Sequence, residues 1–218
     1  MAAPRAHADA RSTAEHVLDA AERLFAEHGF SGASLADICG EVGIAKSSLL
    51  HHFPSKKRIY AAVLARIAAD LEAMLAEAKQ MHGEAAARFR HMIALHLHWT
   101  RRRPDYNQLM LRELVDNTDR ASQVRNWVLK PVLDEMAALI TEAQEQGALR
   151  PIDPMLFLFH TVGGIAYVMA ARLTLAGITG ETDIDALIER YCDFVMRSID
   201  VAPIDAAPIN AAPMDDGD

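Results

Sequence analysis

The sequence is short of the residues that build sheets, covalent staples and catalytic centres. Aromatics make up 6% of its 218 residues, and alternating runs of Val, Ile, Thr and Tyr are scarce, which argues against a sheet-based fold. The two cysteines, Cys39 and Cys192, are too few and too far apart in sequence for a disulfide framework. A lone cysteine in a helix is ordinarily a small apolar residue, so redox sensing is not the expected role of either thiol. The N-terminus lacks the basic start, apolar stretch and small-residue cleavage site of a signal peptide, so a reducing cytoplasm is the expected setting. No phosphate-cradling glycine loop and no nucleophile–base pair is present, and the chain is not expected to be an enzyme or to need a cofactor. The only feature favouring an enzyme is a histidine-rich stretch, His91, His96 and His98. These lack the i, i+4 spacing of a helical zinc site, so no metal site is expected.

What the chain has instead is helix. Hydrophobic residues make up 51%, and alanine and leucine recur at helical spacing, which reads as all-α. The length allows a small domain docked on a larger one. The formal charge of -8 would argue against a nucleic-acid partner were it evenly spread. It is not: from Lys46 to Arg66 the charged residues are Lys46, Lys56, Lys57, Arg58 and Arg66, whereas Ser198 to Asp218 carries only acids. Between Asp153 and Arg172 there are eighteen uncharged, mostly apolar residues, at the lower limit of ~18 for a membrane span. The stretch starts at Pro154 and contains His160, Thr161 and Gly163-Gly164. A helix buried between a core and a partner subunit fits it better, and no membrane is expected.

Residues 1–11 read as a flexible arm. Ser12 and Glu15 form a capping-box pattern opening a helix with Ala14, Val17, Leu18, Ala21, Leu24, Phe25 and His28 inward, Glu15, Asp19, Glu22, Arg23 and Glu27 outward, and Gly29 as the stop. Ser34 with Asp37 caps a short helix, Leu35 to Val42, ending at Gly43. A second follows from about Ala45 to His52, then Ser55 caps a long helix. Further helices are expected at Glu84 to Arg102, Asp105 to Val115, Arg120 to Lys130, Pro131 to Gln146, Pro154 to Ala176 and Asp183 to Ile199, the last opened by a Thr182–Asp185 box. Arg101 to Arg103 suit a solvated helix C-terminus. Residues 201–218 repeat an Ala-Pro pentad with proline every fifth residue, and disorder is expected there. The domains expected are thus 12–54 and 55–200.

Two short helices about a glycine turn, held by Leu35, Ile38, Val42, Ile44, Leu49 and Phe53, meet the physical requirement of a helix-turn-helix. Here the chain resembles the TetR family of DNA-binding regulators. Phe30, Gly32 and Ser34 precede the second helix as in that family, and Ile38, Gly43, Leu49, His52, Phe53 and Lys56 stand in register. The resemblance implies that Lys46, Ser47, Ser48 and His51 face the major groove, with Ser34, His52 and Lys56 near phosphates of a double-stranded operator. Two positions depart from the family: Leu50 stands where Tyr is usual, and Ala45 cannot cap the third helix. These departures lend some support to an alternative, a helical interaction protein with weakened DNA binding.

The resemblance further implies a homodimer made through the last two long helices, a small-molecule effector held inside the C-terminal helices, and a repressor released from a palindromic operator by that effector. His96, Trp99, Met110, Trp127, Phe157, His160 and Tyr167 are the residues expected to line the cavity, since apolar walls with a few polar tips suit a small amphipathic ligand. Gly163 and Gly164 are expected to let backbones approach closely. Arg112 and Glu113 could hold a charged group, although solvated surface is their default.

Overall fold

The computed structural model describes residues 12–116, 128–180 and 182–198, and no strand occurs among them. The elements are α1 (Thr13–Gly32), α2 (Leu35–Val42), α3 (Lys46–His52), α4 (Lys56–Gln80), α5 (Ala85–Arg102), α6 (Pro104–Asp116), α7 (Lys130–Glu145), α8 (Pro154–Ala170), α9 (Arg172–Thr179) and α10 (Ile184–Ser198). The expectations for the N-terminal arm, the Arg120 to Lys130 helix, Trp127 and the C-terminal tail lie outside the described residues.

Caps explain where the first helices begin. Ser12 accepts from the Glu15 backbone N–H while its own N–H donates to the Glu15 carboxylate at 2.6 Å, so two otherwise orphan donors are satisfied at once. At Gly29 φ is +72°, as a stop signal requires, yet the chain resumes one more turn to Gly32 instead of ending. α1 is inserted between α2, α4 and α6. Its buried residues include Val17, Ala20, Ala21 and Phe25, and Phe25 and Phe30 meet the Tyr60 ring of α4 edge-on, each at 5.0 Å.

α1 corrects two expectations. His28, placed inward by periodicity, is exposed, because it precedes the break at Gly29; Glu22, placed on the outward face, is buried against α6, because α1 has two inner faces rather than one.

α4 runs from this small core into the larger one. Ser55 caps it, accepting from Arg58 N–H, and its stripe Ile59, Val63, Ile67, Leu71, Met74, Leu75 and Ala78 is buried along its whole length. α5 is the axis of the second core, touching α4, α6, α7, α8 and α10 through Phe89, Met92, Ile93 and Leu97.

The expected single helix from Pro154 to Ala176 is two. α8 and α9 are bent by 73° to each other about Ala171, and α9 buries none of its residues. Apolarity alone carried the longer assignment, and apolarity does not report direction. Among the described residues no single helix is long and apolar enough to cross a membrane. The last helix is capped by Asp183, whose carboxylate accepts from the Asp185 and Ala186 N–H groups, rather than by Thr182.

Gly164 seats a side chain rather than a backbone: a Cβ there would overlap the Tyr191 hydroxyl, which donates to the Thr161 carbonyl at 3.2 Å. Gly163, in contrast, has nothing within 4 Å of where its Cβ would be. Gly164→Ala should therefore destabilise the chain by about 1–2 kcal/mol, overpacking outweighing the gain in helix propensity. Gly40→Ala, inside α2 with open space around it, should stabilise by about 0.5–1 kcal/mol. Thermal unfolding of the two variants should show midpoints shifted in opposite directions.

Candidate nucleic-acid interface

The N-terminal helices form a rigid mount for α3. Ser34 Oγ accepts from Asp37 N–H at 3.2 Å and Ser34 N–H donates to Asp37 Oδ2 at 2.9 Å. These bonds hold the Asp37 carboxyl below the usual carboxylate range. α2 ends at Gly43, where φ +74° and ψ 34° are cheap only for glycine; its N–H closes on the Cys39 carbonyl at 2.9 Å. The reversal brings Leu49 of α3 into the core at 0% exposure. One buried leucine thus anchors a helix of seven residues.

With Leu49 fixed, the other side chains of α3 are disposed outward. Lys46, Ser47, His51 and His52 are exposed and Ser48 is half-buried. The face carries lysine, hydroxyls and imidazoles with no carboxylate, a set that can donate to base edges and phosphates. The His51 and His52 rings lie edge to face at 5.6 Å, closer than adjacent helix positions suggest, and no cluster of metal-ligating side chains occurs among the described residues. Ala45 makes no side-chain cap, and Leu50 is 37% exposed.

Lys56 is committed differently from the expectation that it stands near phosphates. Its ammonium donates to the Phe30 and Ala33 carbonyls at 2.7 and 2.9 Å and sits 4.5 Å above the Phe30 ring. It clamps the end of α1 to the start of α4 and so fixes Ser34 between them. The exposed cations beside it are Lys57 and Arg58.

On its other side α1 is tied to the C-terminal helices. The buried Glu22 carboxylate takes a hydrogen bond from Tyr106 of α6, and burial pushes its pKa up against the pull of that bond, Arg66 and Arg103. Arg66 pairs with Asp19 at 2.9 Å, Arg103 reaches toward Asp70 at 3.6 Å and over the Tyr106 ring, and Arg112 donates to the Glu27 carbonyl at 3.0 Å. Arg103 therefore stands at this junction rather than on a plain solvated helix end, and Arg112 holds α1 rather than a ligand. A polar, open hollow of about 660 Å³ lies here between Arg23 and Glu41 on one side and Arg102 to Asp105 on the other.

A second cavity, about 210 Å³ and apolar, lies among α5, α6, α7 and α8. His96, Trp99 and Met110 line it, joined by Asn107, Leu133, Met136, Val162 and Ala166, which the sequence reading did not single out. Phe157 and His160 instead stack on each other on a different side of α8, with Phe157 against Phe89, and Tyr167 is 73% exposed. Because α8 is apolar all round, its composition could not say which face turned inward. The spacing of Leu158, Val162 and Ala166, four residues apart, was the available signal. Both cysteines are buried, and burial raises the Cys192 thiol to about 11, which disfavours its thiolate.

His96 is enclosed in the protein, and burial lowers its pKa to about 4. The unfolded imidazole takes its proton near 6.5, so between these values the unfolded state binds more protons and stability falls as pH falls. The loss should total roughly 3 kcal/mol. Equilibrium unfolding in urea from pH 7 to 4 should show this component in the parent and not in His96→Phe.

The fold and its parts have known counterparts. The family model for bacterial regulatory proteins of the tetR family matches residues 17–63, and that for the tetracyclin repressor-like C-terminal domain matches residues 80–206. HTH-type transcriptional regulator RutR of Escherichia coli K12 is 31% identical over 168 residues, covering 76% of this chain and 78% of RutR. The biofilm operon icaADBC HTH-type negative transcriptional regulator IcaR of Staphylococcus aureus (strain Newman) is 48% identical over 46 residues, covering 21% of this chain and 25% of IcaR. The crystal structure of FadR from Bacillus subtilis in complex with stearoyl-CoA shares the fold, with a TM-score of 0.66 at 20% identity, covering 84% of this chain and 97% of that one. With α3 mounted on Leu49 and both halves matched, the chain belongs to the TetR family of DNA-binding transcriptional regulators.

Proposed function

We propose that the chain is a dimeric repressor acting in the cytoplasm, with residues 12–54 as reading head and 55–200 as effector and dimerisation body. Two copies of α3 enter successive major grooves, ~34–36 Å apart, on a palindromic operator. The observation that carries this reading is the outward face of α3, basic and free of carboxylates above a buried Leu49. Lys46, Ser47, Ser48 and His51 are assigned to base edges, and Ser34, His52, Lys57 and Arg58 to phosphates. Lys56 is assigned a positioning role through its clamp on Phe30 and Ala33. Repression is favoured by the name of IcaR, a negative regulator that is similar over the reading head. An effector in the 210 Å³ cavity would bind preferentially to a conformation whose heads no longer match the operator spacing.

The dimer is supported by what α8 to α10 leave uncovered. Leu156, Tyr167, Leu173, Ile178 and Phe194 are each more than 60% exposed, an apolar surface of the kind that a second subunit covers.

Fluorescence anisotropy against the DNA upstream of the chain's own gene tests the reading. Tight binding is expected at low salt without effector, falling by several orders of magnitude between about 50 and 200 mM salt. Lys46→Ala should weaken binding about tenfold and relax specificity at the base it reads, whereas Lys57→Ala should weaken binding to all sequences alike and reduce the salt slope by about one; absence of any binding at low salt would sink the proposal. Tyr167→Glu combined with Leu156→Arg should sediment as a monomer and lose at least about a hundredfold in operator affinity, since the two heads then bind independently. A variant that stays dimeric places the interface elsewhere.

A further inference from the structure

Resting on the reading of the chain as an effector-controlled regulator, we propose that its effector is a small uncharged amphiphile: an apolar body of on the order of ten non-hydrogen atoms with one hydroxyl or carbonyl group that bonds His96.

Size comes first. The cavity measures about 210 Å³, below the ~300–1,000 Å³ of sites for drug-sized molecules and somewhat above a cavity of ~150 Å³ that holds benzene. A nucleotide-bearing thioester has no room within it.

The wall then sets polarity. Leu71, Met110, Leu133, Met136, Phe159 and Val162 are among its lining, and no Asp, Glu, Lys or Arg occurs among its described residues. An ionised carboxylate or ammonium would enter without a counter-charge, at a cost that such a wall cannot offset. Three of the described wall residues carry polar side-chain N or O atoms. Asn107 reaches the Ala166 carbonyl at 3.5 Å, and Trp99 Nε1 is directed to Asp70 at 3.4 Å. His96 differs, because its Nδ1 is shielded from solvent with no hydrogen-bond partner.

An unpaired buried nitrogen normally costs stability, so a turn of the His96 ring that brings Nδ1 to a ligand in the cavity the residue lines would restore what folding leaves unsatisfied. Burial keeps the ring neutral, and a neutral imidazole offers one donor and one acceptor. That pair matches a hydroxyl or a carbonyl and gives a carboxylate no charge to pair with. The same ring contacts Trp99 at 5.6 Å, so a ligand bonded to His96 also meets the indole that leads toward Tyr106.

The test uses the full chain at pH 7 with 1-octanol and 4-ethylphenol as neutral probes, octanoate and octylammonium as charged ones, and calorimetry plus thermal shift as readouts. The neutral probes should bind at least tenfold more tightly than the charged pair and raise the unfolding midpoint. His96→Phe should lower neutral-probe affinity about tenfold or more, and Leu133→Trp, which fills the cavity, should abolish it. Tighter binding of octanoate or octylammonium, no binding of either neutral probe, or unchanged affinity in both variants would each overturn the proposal. Probe binding is measured without DNA. Operator binding with the wrong probe preference therefore rejects the effector class alone, and absent operator binding rejects the repressor reading alone.

Discussion

A carboxylate buried between two helices is the constraint on which the arrangement depends. Glu22 lies on α1, the helix that also carries the core beneath α3, and its partner Tyr106 on α6 is fully buried. Desolvating a carboxylate costs several kcal/mol unless its lone pairs are satisfied. Here the phenol donates, and Arg66 and Arg103 lie close enough to favour the charge. Pulling α6 away from α1 would leave Glu22 without its phenol donor. The Arg112 bond to the Glu27 carbonyl, about one and a half turns along α1, adds a second tie. α1 and α6 are therefore joined by two polar ties as well as by packing.

From that junction a continuous set of rings leads to the apolar cavity. Tyr106 meets Trp99 at 5.8 Å, and Trp99 meets His96 at 5.6 Å. Two of these three residues are on α5 and Tyr106 is in the first turn of α6, so the rings form a contiguous path from His96 to the Glu22 contact. Contiguity is not itself a coupling energy. On the proposed mechanism, the effect on DNA is set by how much better the effector fits one arrangement of this junction than the other, typically 1–3 kcal/mol.

The reading head was legible because local rules suffice to specify it. α2 has the expected ends because Ser34 and Gly43 each satisfy a backbone requirement that few other residues meet. What was not legible depends on a second partner. Glu22 looked outward because periodicity assumes one inner face, and α1 has two. Phe157, His160 and Tyr167 were assigned to the cavity because α8 has no polar face to orient it, and the bend at Ala171 breaks no hydrophobic pattern. Lys56 was expected near phosphates because nothing in sequence reveals two carbonyls left bare where α1 ends. In each case the missing information was long-range geometry, not residue chemistry.

The clamp at Lys56 also bears on the charge asymmetry. With that ammonium turned inward, the cations exposed around α3 among the described residues are Lys46, Lys57 and Arg58, on a molecule whose formal charge is -8. Like-charge repulsion from the rest of the surface opposes DNA in any orientation except the one that presents this face. Non-specific binding draws on phosphate contacts in every orientation, whereas operator binding draws on them in one. An acidic body with a small basic face therefore gives up absolute affinity while lowering the non-specific background further. On the proposed reading, this asymmetry offsets the missing cap at Ala45 and the apolar Leu50, because discrimination depends on the ratio of the two affinities rather than on the tighter one alone.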